Sequence, residues 1–86
     1  MNKNKNSKDT LTNQIKKILA EYLGVDEEDI KEEDLLTEDL HMNATELSDL
    51  LQILYDKGVI TKDIDLTEIE TVEELIEVIS SQEFIH

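Results

Sequence analysis

Apolar side chains recur at Leu11, Ile15, Ile18, Leu19, Tyr22 and Leu23. Steps of three and four lay such positions along one side of a helix. Gly24 follows directly, and glycine at that point suits the left-handed residue that closes a helix. A second stripe runs Leu47, Leu50, Leu51, Leu54 and stops near Gly58. It begins behind Asn43, whose side chain can accept from the first free N–H groups, and Glu46 stands three residues on. Asn43-Ala44-Thr45-Glu46 therefore predicts a capping box. The third stripe is Val72, Leu75, Ile76, Ile79, with Thr71 as its N-cap and Glu74 completing a second box.

The intervening stretches lack such faces. Residues 25–42 mix acids with Val25, Ile30, Leu35, Leu36 and Leu40 at uneven spacing, which predicts a long loop pinned to the core by those side chains. Structureless loops of this length are uncommon and often functional. Residues 59–70 carry Val59, Ile60, Ile64, Leu66 and Ile69 and predict a loop with one short helical turn near 67–70. Residues 1–9 are polar and aperiodic and are expected to be a disordered tail, leaving 10–86 as one helical domain. With no strand alternation and no repeat, the fold class is all-α: a small bundle of three main helices and a short fourth.

Composition narrows the function. A chain of 86 residues buries a modest core and is expected to be marginally stable. There is no cysteine, which excludes disulfides, thiolate metal sites and cysteine nucleophiles. No run approaches the roughly 20 apolar residues of a membrane span, and "MNKNKNSKD" has no apolar core of a secretory signal. The expectation is a cytoplasmic monomer. The 22 acids outweigh 8 lysines, for a net charge of −14, and only Asp9 of those acids precedes residue 18. Such a surface repels nucleic-acid phosphates and anionic membranes. It attracts basic protein patches instead, although excess acid also simply keeps a small domain soluble.

The order of elements is distinctive. Leu23-Gly24-Val25, Ile30 five residues on, Glu38-Asp39-Leu40 ahead of the second main helix, and "TVEELIEVI" near the end together resemble the acyl carrier protein family from about Ile15 to Ile79. The resemblance implies a four-helix bundle of acyl-carrier-protein type, with a long loop between the first two main helices. In that family a serine heading the second helix carries 4′-phosphopantetheine, whose thiol holds acyl groups for successive enzymes. Its attachment motif runs Gly, any residue, Asp, Ser, Leu. Aligned through Glu38-Asp39-Leu40, this chain reads His41, Met42, Asn43, Ala44, Thr45, so every specified position differs.

The expected consequence is an unmodified protein with no cofactor. Ala44 keeps a location where free N–H groups and the helix dipole favour a phosphodiester, but it has no hydroxyl to form one. Thr45 is a secondary alcohol rotated about 100° around the helix, and Ser48 lies a turn inside, where the N–H groups are already bonded. Changes at His41, Asn43 and Thr45 as well as at 44 fit the natural loss of a whole motif better than a single replaced serine. By position the resemblance assigns partner docking to Glu46, Asp49 and Asp56, with Tyr55 where another acid is frequent. It assigns an acyl channel to Leu47, Leu50, Leu54 and Ile69, which without a tethered chain are simply core.

Catalysis is not expected. The histidines are His41 and His86, there is no arginine, and no nucleophile is paired with a base. "DEEDIKEED" and "DIDLTE" lack calcium-loop spacing. Two functions follow: a disabled carrier of acyl or fatty acid metabolism, or an armless acidic module that docks a basic partner noncovalently.

Overall fold

A computed structural model describes residues 7–62 and 64–82. Three α-helices, α1 (Ser7–Leu23), α2 (Ala44–Asp56) and α3 (Val72–Gln82), alternate with two single 3₁₀ turns at Glu27–Asp29 and Leu66–Glu68. The expected short fourth helix is the second of these turns. The helix α1 starts at Ser7, within the stretch assigned to the tail; residues 1–6 lie outside the described residues.

The predicted stripes supply most of the core, with Tyr22, Leu23 and Leu51 half-buried at its edge. Leu11, Ile15, Ile18 and Leu19 of α1, Leu47, Leu50 and Leu54 of α2, and Val72, Leu75, Ile76 and Ile79 of α3 are all buried. The helices α1 and α3 pack together, while α2 packs on the Leu66–Glu68 turn, which contributes Leu66 to the same cluster. Among the described residues, no helix is long and apolar enough to cross a membrane.

Both long helices end as their glycines predict. Gly24 and Gly58 have φ of 75° and 76°, a region closed to most side chains. The Val25 N–H returns to the Ala20 carbonyl at 3.0 Å and the Val59 N–H to the Leu54 carbonyl at 2.9 Å. These are the six-residue closures of the Schellman motif, which satisfy carbonyls the helix leaves open.

The long loop is held by backbone as well as by side chains. The N–H groups of Leu36, Val72 and Glu73 donate to Glu70, Asp34 and Glu32 at 2.8, 3.1 and 2.9 Å, stitching residues 32–36 to the start of α3. Ile30 and Leu36 are buried and Leu35 and Leu40 half-buried, as expected of pinning residues. Val25 differs. It is 43% exposed and lies outside the core.

Candidate functional site

The loop delivers the chain to the head of α2 through three consecutive residues with different constraints. His41 has φ of 59°, a conformation uncommon outside glycine, although histidine enters it more often than most residues, as asparagine and aspartate do. Met42 follows fully buried, its N–H donating to the Leu36 carbonyl at 3.0 Å. Asn43 is then extended and accepts from the Glu46 N–H at 2.8 Å, while the Glu46 carboxylate accepts from the Asn43 N–H at 3.0 Å. The predicted capping box is present, and it fixes Ala44 as the first residue of α2. Ala44, Thr45 and Ser48 are all exposed. The first residue of this helix therefore carries a methyl group and no hydroxyl.

The second capping box is altered. The Glu74 N–H donates to the Thr71 hydroxyl at 3.1 Å, but the Glu74 carboxylate accepts from Glu70 at 2.8 Å, one residue further back than the motif requires. Thr71 also pairs with Leu35 in an isolated antiparallel bridge.

Of the α2 acids, Glu46 is half-buried by its capping role, whereas Asp49 and Asp56 are exposed. Asp49 accepts from the Tyr22 hydroxyl of α1 at 3.0 Å, and Asp56 from the Gln52 amide at 3.1 Å. Both keep carboxylate lone pairs facing solvent. Tyr55 is 44% exposed and donates to the Thr61 carbonyl at 3.3 Å. Leu47, Leu50, Leu54 and Ile69 are all buried. Ile69 also lines a cavity of about 330 Å³ between the loop at Leu35–Glu38 and the 3₁₀ turn. Among the described residues, no three histidine or carboxylate groups converge to hold a metal.

Helix order, the long stitched loop and the capped second helix correspond to a known pattern, and sequence comparison agrees. The chain is 34% identical over 77 residues to an acyl carrier protein of Thermotoga maritima, covering 88% of this chain and 95% of that protein. It is 32% identical over 77 residues to an acyl carrier protein of Petrotoga mobilis, covering 88% and 91%. The chain belongs to the acyl carrier protein family. No family model matches the sequence. Asp49 and Asp56 of α2 are exposed, and Leu47, Leu50 and Leu54 of the same helix face the core.

Three features escaped sequence reasoning. The helical stripes do not indicate Met42, because it is a single apolar residue in a loop. Nothing local pairs Tyr22 with Asp49, which are 27 residues apart. The left-handed backbone at His41 was hidden by its side chain, although alignment with a family glycine was the available signal.

Proposed function

We propose that this chain is a non-catalytic acyl-carrier-protein-like protein of acyl or fatty acid metabolism that bears no 4′-phosphopantetheine. The observation that carries this is Ala44 as the first residue of α2, in the register where the family has its serine. Attachment requires a hydroxyl oxygen to attack the β-phosphate of coenzyme A, and a methyl has no lone pair. The cofactor does not fit the residues present. Backbone geometry supports the register, since His41 stands where the family has glycine and adopts the positive φ that glycine tolerates best. Thr45 and Ser48 are ordinary surface residues of the helix. Leu47, Leu50, Leu54 and Ile69, between 0 and 7% exposed, act as core and not as a channel.

A second reading is favoured by the carboxylates of α2. Exposed Asp49 and Asp56, with Glu46 beside them, form an acidic face on a chain of net charge −14. In this reading the protein is an armless docking module that binds a basic partner noncovalently. Incubation of the Ala44→Ser variant with coenzyme A and a phosphopantetheinyl transferase, followed by intact mass, separates the two. A gain of mass by the serine variant marks a carrier whose attachment position was disabled. No gain by that variant marks a docking module.

A further inference from the structure

The two Schellman closures give an internal comparison. Each places a valine directly after the closing glycine. In this motif that residue normally packs an apolar side chain back on its own helix. Val59 does so and is 9% exposed, whereas Val25 is 43% exposed. Val25 instead forms one wall of a cleft of about 370 Å³, whose other apolar surfaces are Leu23, Ile30 and Leu40. Asp29, Asp39 and His41 stand around them.

The walls are preformed. The Val25 N–H is bonded to the Ala20 carbonyl, that of Ile30 to Glu27 and that of Leu40 to Leu35, each at 3.0 Å. The Asp39 carboxylate is held by the Leu35 N–H at 2.8 Å. An apolar cleft with rigid walls binds with little ordering cost. Its occupant must also suit the charge. Asp26, Glu27, Glu28 and Asp29 are all exposed along the adjoining turn, so a fatty acid carboxylate or a phosphate would be repelled.

We propose that this cleft docks a basic amphipathic segment of another protein. An apolar side chain of leucine or phenylalanine size enters between Val25 and Leu40, and flanking lysines or arginines lie against Asp29 and Asp39. This deepens the docking reading by adding a second contact surface, at the α1–loop junction and not on α2.

Titration of the ¹⁵N-labelled full chain with three synthetic helical peptides, observed by amide chemical shifts, tests it. One peptide has a leucine face and a lysine face, one replaces leucine by serine, and one replaces lysine by glutamate. The leucine–lysine peptide is expected to shift the amides of Leu23, Val25, Leu40 and His41 saturably. The other two peptides are expected to bind roughly tenfold or more weakly, as is the first peptide to Val25→Ser. Val25 is solvent-facing, so its replacement preserves the fold, which the variant's own spectrum verifies. Asp29→Asn weakens binding without touching the apolar walls. Shifts confined to the α2 amides overturn the cleft proposal and leave the docking reading standing. Equal binding of the serine–lysine peptide at the cleft also overturns it, because the attraction would then be charge alone. Absence of saturable shifts anywhere contradicts both.

Discussion

The Tyr22 hydroxyl donates to the Asp49 carboxylate at 3.0 Å, tying α1 to α2 across 27 residues of chain. Partial burial, then the hydrogen bond to Asp49 and its charge, then the charge of Glu46, push the phenol above its ordinary pKa of 10.0. Because the folded value is the higher one, the contribution to stability is fully present below about pH 10 and is lost as pH rises through the folded value. In a Tyr55→Phe background, absorbance titration of Tyr22 should give a midpoint above that of the urea-unfolded chain. Asp49→Asn should lower the midpoint only in part, since burial and the Glu46 charge remain. A midpoint identical in folded and unfolded chains would break this account of the pair.

His41 holds a left-handed backbone that costs a non-glycine residue about 1–2 kcal/mol. Glycine relieves that strain but adds back about 0.5–1 kcal/mol of unfolded-state freedom. His41→Gly should therefore stabilise the protein by roughly 0.5–1 kcal/mol, seen as a higher urea midpoint at unchanged slope. His41→Val should lower the midpoint, because a β-branched side chain tolerates that region least.

The capping box predicts a coupled pair. Asn43→Ala should cost about 1 kcal/mol, and so should Glu46→Ala, through the N–H groups each leaves unsatisfied. The double variant should cost less than the sum of the two, because the two side chains cap one another's residues. Strict additivity in urea unfolding would indicate two unrelated contacts.

Leu50 and Leu54 are both 0% exposed. Replacing either by alanine should cost about 2–5 kcal/mol, a large share of the stability of so small a domain. Loss of the cooperative thermal transition in circular dichroism is the expected result. A shift of only a degree or two would mean that these positions border a cavity rather than fill the core.

Net charge of −14 sets a salt response. Raising NaCl from roughly 10 to 150 mM screens repulsion among exposed carboxylates, and Mg²⁺ should act at lower concentration through diffuse binding. The melting temperature is expected to rise by about 5 °C. A flat response would mean that the acids already lie far enough apart in the folded chain.

The elements that were legible in the sequence are those governed by short-range rules. Stripes at three-and-four spacing located the buried faces of all three helices. Asn43 and Glu46 located the head of α2 to the residue, and Gly24 and Gly58 located the ends of α1 and α2. Val25 was misassigned as a pinning residue because loop apolar positions carry no periodicity to say which way they face. The isolated Met42 was overlooked for the same reason. Two parts depended on chain segments meeting in space: the stitching of residues 32–36 to α3, and the Tyr22–Asp49 bond. Neither has a local signature. The candidate docking acids were found by family register, which gives position but not the partner each carboxylate already holds.

The central claim is that the residue heading α2 offers no oxygen to which an arm can be joined. Intact mass spectrometry of the unaltered chain, before and after incubation with coenzyme A and an active phosphopantetheinyl transferase, tests it most directly. The account predicts an unchanged mass under conditions that fully modify an acyl carrier protein with its serine in place. A mass increase equal to one phosphopantetheine group, mapped by fragmentation to Thr45, Ser48 or any other residue, would contradict it.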